Sequence, residues 1–153
     1  MFTKPARLFR VLAIAEAITW TLLIAALIAR AVGAPSIVVT IAGGIHGFVF
    51  LSYGATAILV AFNQRWPIGL GILTVASAIV PYATIPMEIW LHRKGRLEGD
   101  WRLEESEHPQ DRTWYDRTMR WFLNHAWLLV ALIAVAIVAL YVILLIVGPP
   151  GGR

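Results

Sequence analysis

Three ionisable residues, Glu16, His46 and Glu88, lie inside long apolar stretches of the sequence. On insertion scales a carboxylate in the middle of a bilayer costs roughly 2.5–3.5 kcal/mol, so such a group faces a helix bundle or a water-filled cavity and has a partner. Histidine is the side chain most easily switched near neutral pH, and a carboxylate beside it would hold its proton. The three residues therefore allow a proton-accepting or ligand-binding site, and they equally allow hydrogen bonds that only join helices.

The elements that must position these residues are four apolar runs, at 11–29, 37–62, 68–91 and 126–147. Each has the roughly 20 apolar residues that a helix needs to cross the hydrocarbon core. Only helices and closed barrels satisfy every backbone group in lipid, and the runs lack the two-residue alternation of barrel strands. The sequence predicts an all-α, polytopic membrane protein with four transmembrane helices in a small bundle.

The composition agrees with a chain that lies in lipid. Of its 153 residues 59% are hydrophobic and 14% are charged, against about 25% charged residues in a typical soluble domain. The formal net charge of +4 suggests flanks held against anionic lipid, and we expect no nucleic-acid partner. Because the sequence has no cysteine, disulfides, cysteine nucleophiles and iron–sulfur ligation are excluded.

The second run carries a face of small residues. Gly43 and Gly47 are four residues apart, Gly54 follows, and His46 and Tyr53 flank the same face. Small residues let helix backbones approach closely in lipid. We therefore predict that this face packs against another helix, with Tyr53 as a further polar candidate inside the bundle.

The third run contains two prolines, Pro81 and Pro86. A proline inside a helix removes a backbone hydrogen bond, here those to the carbonyls of Ser77 and Tyr82, and it kinks the helix. The released oxygens could line a cavity together with Tyr82 and Glu88. The alternative is a helix that is merely bent.

Two topologies predict different partners for the buried groups. If the third run crosses the membrane fully, Glu88 shares the side of His46 and can pair with it, while Glu16 lies nearer residues 63–65. If the run is re-entrant, with its bend at the prolines, Glu88 returns to the side of Glu16. A run of 24 residues is ample for a full span, so four spans are the preferred prediction.

Positive charge counts differ between the two topologies. With four spans, five Lys and Arg residues lie on one side and eight on the other. With a re-entrant third run, eleven lie on one side, and Arg30 and Arg153 alone lie on the other. Lys and Arg near helix ends favour the cytoplasmic side, so the second count is the cleaner one. The orientation stays open at this point.

The polar segment at 92–125 turns from basic to acidic and then to aromatic. Trp114, Thr118, Trp121 and Phe122 follow helical spacing, which is typical of a short amphipathic helix at a membrane surface. The alternative is that these residues form the first turns of the fourth helix.

Known catalytic and metal-binding patterns are missing from the sequence. Its histidines are scattered without an HxxxH pair, so we predict no metal, haem or other cofactor. It contains no GxxxxGK[ST], GxSxG or HExxH, which are the marks of phosphate-binding loops, serine hydrolases and zinc proteases. We therefore predict no catalytic residue, and a protein that is not an enzyme.

Four stretches resemble a bacterial membrane family catalogued as domain of unknown function 3817. The resemblance covers about residues 7–101 and implies a three-helix membrane domain, with Glu16, His46, Pro81, Pro86 and Glu88 as its signature positions. It implies no activity, and residues 102–153, a polar loop and the fourth helix, are an extension beyond it. The stretches are FRVLAIAEAITW (9–20), GGIHGFVFLSYGATA (43–57), NQRW (63–66) and PYATIPMEIWL (81–91).

Small size, plain spans and an extra anchoring helix favour a non-catalytic accessory or assembly subunit of a membrane complex. The alternative is a small proton-coupled transporter that uses the intramembrane Glu and His residues. Four helices enclose little cavity on their own, so a transporter would have to be oligomeric. We expect a multi-pass protein of the cell (plasma) membrane, in contact with lipid and with other membrane subunits or further copies of itself.

Overall fold

The computed structural model describes residues 4–104 and 113–147, and within these ranges every regular element is helical. A short 3₁₀ turn at Ser77–Ile79 joins the third and fourth helices. The helices are α1 (Pro5–Ala31), α2 (Ile37–Asn63), α3 (Ile68–Ala76), α4 (Thr84–Arg93), α5 (Trp114–Asn124) and α6 (Ala126–Val147).

α1 and α2 form an antiparallel pair, and each is long and apolar enough to cross a membrane. Each has 27 residues, or about 40 Å at 1.5 Å per residue. Proline at the first position starts α1, where its missing N–H is not needed. The turn after α1 contains Gly33 at φ 104°, a left-handed conformation that favours glycine.

Apolar and aromatic side chains form the core between α1 and α2. Phe9 and Ala13 of α1 and Tyr53, Ala57 and Val60 of α2 are fully buried. The Phe9 and Tyr53 rings are 5.2 Å apart between centroids. The outer faces of both helices carry exposed aliphatic side chains. That distribution suits a helix pair surrounded by lipid, because lipid tails solvate apolar side chains as well as a protein core does.

The third apolar run does not form the single helix that we predicted over 68–91. It forms α3, the 3₁₀ turn, a bend with Tyr82 at φ 66°, and α4. The Trp66 indole N–H donates to the Arg96 carbonyl at 3.0 Å, so the two ends of the run meet beside the end of α2. The run is therefore a helical hairpin, named here the α3–α4 hairpin.

The two prolines act differently from the predicted pair of kinks. Pro81 stands in the bend, where it has no N–H to continue the helix. Pro86 lies in the first turn of α4, where N–H groups have no helical partner. The Tyr82 carbonyl, which we expected Pro86 to release, accepts the Ile85 N–H at 3.2 Å.

The glycines of α2 have no close neighbour within the described chain. A Cβ atom added at Gly43, Gly47 or Gly54 would meet nothing within 4 Å. The close helix packing predicted for this face is thus not made inside the chain, because the neighbouring helices lie elsewhere around α2. A packing role for these glycines stays a prediction about a partner.

α5 is a helix of its own and not the start of α6, since His125 between them has the non-helical angles φ −122° and ψ 48°. It packs on the end of α2, where the Phe62 and Tyr115 rings are 6.1 Å apart. Arg102 fixes this arrangement. It donates to the Asn63 carbonyl at 2.7 Å and to Asp116 Oδ1 at 3.2 Å.

Candidate functional site

Glu16 is the most deeply buried carboxyl group among the described residues, with an exposed fraction of 0%. Its nearest polar partner is His46 of α2, whose Nδ1 lies 3.9 Å from Glu16 Oε2. Within residues 4–104 and 113–147, neither carboxyl oxygen of Glu16 has a hydrogen-bond partner. The structure therefore brings together two groups that counting along the apolar runs placed towards opposite sides of the membrane.

The predicted depth of Glu16 was wrong because α1 begins at Pro5, before the apolar run at 11–29. Glu16 lies eleven residues after the start of α1, and His46 lies nine residues after the start of α2. In an antiparallel pair those positions meet near the middle. The side chains at 63 and 64, which we expected near Glu16, instead bind carbonyls of Asp100 and Glu98.

Thr19 and Trp20 complete the surroundings of His46. Thr19 Oγ1 lies 3.1 Å from His46 Nδ1 and donates to the Glu16 carbonyl at 3.0 Å. A hydroxyl has one hydrogen, so a Thr19 that donates to this carbonyl accepts a hydrogen bond from the His46 Nδ1–H group. The Trp20 ring lies 4.5 Å from the His46 ring, between centroids. Sequence reasoning missed both residues, although three- and four-residue spacing from Glu16 puts them on its helix face.

Glu88 of α4 pairs with Arg10 of α1 and not with His46. Arg10 Nε donates to Glu88 Oε1 at 2.8 Å. The carboxylate side chain is 7% exposed and the arginine side chain 51% exposed. Glu88 thus returns to the side of Glu16, as the re-entrant alternative predicted. The sequence contained a signal for Arg10, because it is the last positive charge before the first apolar run.

Tyr53 fastens the end of α3 to α2. It is fully buried, and its hydroxyl lies 3.0 Å from Ser77 Oγ. Ser77 Oγ donates to the Thr74 carbonyl at 2.7 Å, and the Tyr53 hydroxyl lies 3.3 Å from the same carbonyl oxygen. This contact is structural in geometry, since all three groups satisfy one another.

The bend of the α3–α4 hairpin is held against α1. Trp20 Nε1 donates to the Ala78 carbonyl at 3.2 Å, and the Tyr82 hydroxyl lies 3.2 Å from Thr21 Oγ1. Tyr82 is not part of the Glu16–His46 cluster. It is about half exposed, and its role is to anchor the bend.

The chemistry that this arrangement supports is the binding of a proton. It offers one carboxyl group and one imidazole in a buried interface. Among the described residues, no three His, Cys, Asp or Glu side chains come together as metal ligands.

Comparison with known proteins agrees with the resemblance in the sequence motifs. The profile of the family "Domain of unknown function (DUF3817)" matches residues 6–93, which contain α1 to α4 and all the site residues above. The chain is also 37% identical over 93 residues to "Putative membrane protein SCO5905" of Streptomyces coelicolor, covering 60% of this chain and 11% of the relative.

The chain thus spans about a tenth of the length of that relative. No solved structure matches the chain. The family profile covers more than half of the chain, and the relative is named for the membrane in which the two long apolar helices would lie. The chain belongs to the domain of unknown function 3817 family and is a membrane protein.

Proposed function

We propose that the chain is a non-catalytic accessory or assembly subunit of a larger membrane complex. The observation that carries this proposal is the length of the Streptomyces coelicolor relative, of which the matched stretch is only 11%. In that protein the domain is a small part of a much longer chain. We infer that the same domain in this chain binds a large membrane partner.

The outer side of the α3–α4 hairpin is the surface that we assign to the partner. The bend is exposed at Val80 and Tyr82, and irregular backbone does not stay open to lipid. Next to it, the two arms enclose an apolar groove of about 530 Å³. A transmembrane helix of a larger protein would cover both. The groove is lined by Leu73, Ala76, Ser77, Val80, Ala83, Pro86, Met87 and Trp90.

We propose a multi-pass arrangement in the bacterial plasma membrane in which α1, α2 and α6 cross and the α3–α4 hairpin is re-entrant. Four crossings would separate the ends of the hairpin, whereas the Trp66–Arg96 hydrogen bond supports ends on one side. This topology gathers eleven Lys and Arg residues on one side and leaves two on the other. The positive-inside rule then places that richer side in the cytoplasm.

Site-specific photocrosslinking in native membranes tests the partner surface. A photoreactive residue replaces Val80 in the groove or, as a matched control, Ile28 on the outer face of α1, since the two are 57% and 61% exposed. We expect Val80 to crosslink an apolar helix of one larger membrane protein, identified by peptide mass spectrometry, and Ile28 to crosslink lipid. Crosslinks from Val80 to lipid alone, or to another copy of this chain alone, would contradict the accessory role.

A proton-coupled transporter that works as an oligomer is the second candidate. The observation that favours it is the burial of Glu16 beside His46 with no hydrogen bond to either carboxyl oxygen. Intramembrane ionisable groups commonly mark proton pathways. We expect pH-driven flux in proteoliposomes that disappears in Glu16→Gln and Glu88→Gln while both variants stay folded. Unchanged flux in both variants would remove this candidate.

A further inference from the structure

We propose that Glu16 and His46 form a proton-binding site, and that Trp20 couples the charge of this site to the conformation of the bend of the α3–α4 hairpin. The ligand is the proton itself. The inference goes beyond both functions above, because an accessory subunit and a carrier could each use such a site. It depends only on contacts within this chain.

The distance between Glu16 and His46 is longer than a hydrogen bond. Their closest polar atoms are 3.9 Å apart, which is about 1 Å longer than a hydrogen bond between such groups. A pair that served only to join helices would close this gap, because an unbonded buried carboxyl group is costly. The gap leaves room for a proton to be taken up and for a short rotation to make the bond.

The other charged and titratable groups around the pair are Arg10 of α1, Glu88 of α4 and Tyr53 of α2. Arg10 and Glu88 form an ion pair at 2.8 Å. The Tyr53 hydroxyl is bonded to Ser77 of the 3₁₀ turn. Each of these groups already has its partner, so a proton added to the interface has Glu16 and His46 as its acceptors.

Trp20 contacts both the Glu16–His46 site and the α3–α4 hairpin. Its ring lies 4.5 Å from the His46 ring, and its indole N–H donates to the Ala78 carbonyl at 3.2 Å. An imidazolium beside an indole gains a cation–π attraction that a neutral imidazole lacks. Protonation of His46 therefore changes the interactions of the same Trp20 ring whose N–H binds the bend. We expect the exposure of the bend to change with the charge of His46.

Tryptophan fluorescence of the purified chain, in vesicles of phosphatidylethanolamine and phosphatidylglycerol, tests the site without any partner. A protonated imidazole quenches a neighbouring indole. We expect a quenching step on acidification that is lost in Trp20→Phe and in His46→Gln, and that moves to another pH in Glu16→Gln. Circular dichroism checks each fold, and Trp20→Phe keeps the histidine if His46→Gln does not fold.

The chain supplies its own control, since the rings of Trp121 and His125 stack at 4.8 Å in an exposed position. His125→Gln removes any quenching from that second pair and should leave the Trp20 step unchanged. A step that survives in Trp20→Phe combined with His125→Gln would overturn the assignment of the site.

A second measurement tests the passage of the signal to the hairpin. Because the sequence has no cysteine, Val80→Cys gives one reactive thiol at the bend. We expect its labelling rate to change several-fold across the pH range of the quenching step. When Trp20→Phe is added, the rate should no longer change across that pH range. Equal rates on both sides of the step in the Val80→Cys chain would overturn the coupling.

Discussion

The two buried carboxyl groups of the spanning region solve the same problem in different ways. Glu88 lies close enough to the end of α1 that Arg10 reaches it while keeping half of its own side chain exposed. Glu16 lies deeper, and within residues 4–104 and 113–147 its nearest polar partner is His46. An ion pair at a helix end is a stable, permanent arrangement, whereas an acid beside an imidazole can change its charge.

Arg10→Ala should destabilise the chain, because it leaves the Glu88 carboxylate buried without its donor. We expect a loss of about 1–3 kcal/mol, the range for a buried acceptor left unsatisfied. Unfolding by denaturing detergent measures it, and Arg10→Ala combined with Glu88→Gln should recover most of the loss. If Arg10→Ala unfolds like the parent chain, the ion pair contributes nothing.

Substitutions at Tyr53 separate the contribution of the buried ring to stability from that of its hydroxyl. Tyr53→Phe removes only the bond to Ser77 and should cost about 0.5–1.5 kcal/mol. Tyr53→Ala empties a fully buried position beside Phe9 and should cost about 3–5 kcal/mol. Equal losses in the two variants, measured by the same unfolding assay, would contradict the packing described for α1 and α2.

At the scale of elements, the α3–α4 hairpin determines which residues meet. Thr84 at the start of α4 donates to the Ala13 carbonyl of α1 at 3.0 Å, and Glu88 one turn later meets Arg10. α4 therefore runs antiparallel to α1 and returns towards its beginning. A continuous third helix would instead carry Glu88 to the far end of the pair.

Engineered disulfide formation tests this helix packing. In a chain without native cysteine, we expect the pair Ala13→Cys and Thr84→Cys to crosslink readily under mild oxidation, since the Thr84 side chain contacts the Ala13 backbone. The pair Ala13→Cys and Ile72→Cys is the control, because Ile72 lies on the exposed side of α3. Faster crosslinking of the control pair would show that α4 packs elsewhere.

The helices α1 and α2 were predictable because a long apolar run without a proline has one stable form in lipid. The run at 68–91 was not, since a long helix and two short antiparallel helices bury the same apolar residues. Pro81 marked the position of the break, but prolines also occur in full spans. The decision between the two came from long-range contacts such as Arg10 with Glu88, which no local pattern contains.

The sequence predicted which residues form the candidate site better than it predicted which of them pair. Glu16 and His46 stood out as ionisable residues in apolar surroundings, and the structure brings them together. Their depths could not be counted from the runs, because α1 starts at Pro5, six residues before the predicted 11. Trp20 was hidden among ordinary apolar residues, and its contacts with His46 and Ala78 depend on three separate helical segments.

For the whole molecule, the structure is a helix pair with the α3–α4 hairpin on one flank and α5 and α6 on another. Polar bonds concentrate at the end of α2, where Asn63 binds Arg102 of the segment between α4 and α5. At the opposite end of the pair, the last turn of α1 carries one basic residue, Arg30. This asymmetry is what the positive-inside rule expects of one cytoplasmic and one outer surface.

The central claim is that this membrane protein returns the α3–α4 hairpin to the side on which it enters. The direct measurement is labelling of single cysteines in intact cells with a membrane-impermeant reagent, at Ile68, Lys94 and Val32, all of them exposed. The account predicts that Ile68→Cys and Lys94→Cys react from one side and Val32→Cys from the other. Reaction of Ile68→Cys and Lys94→Cys from opposite sides would contradict it.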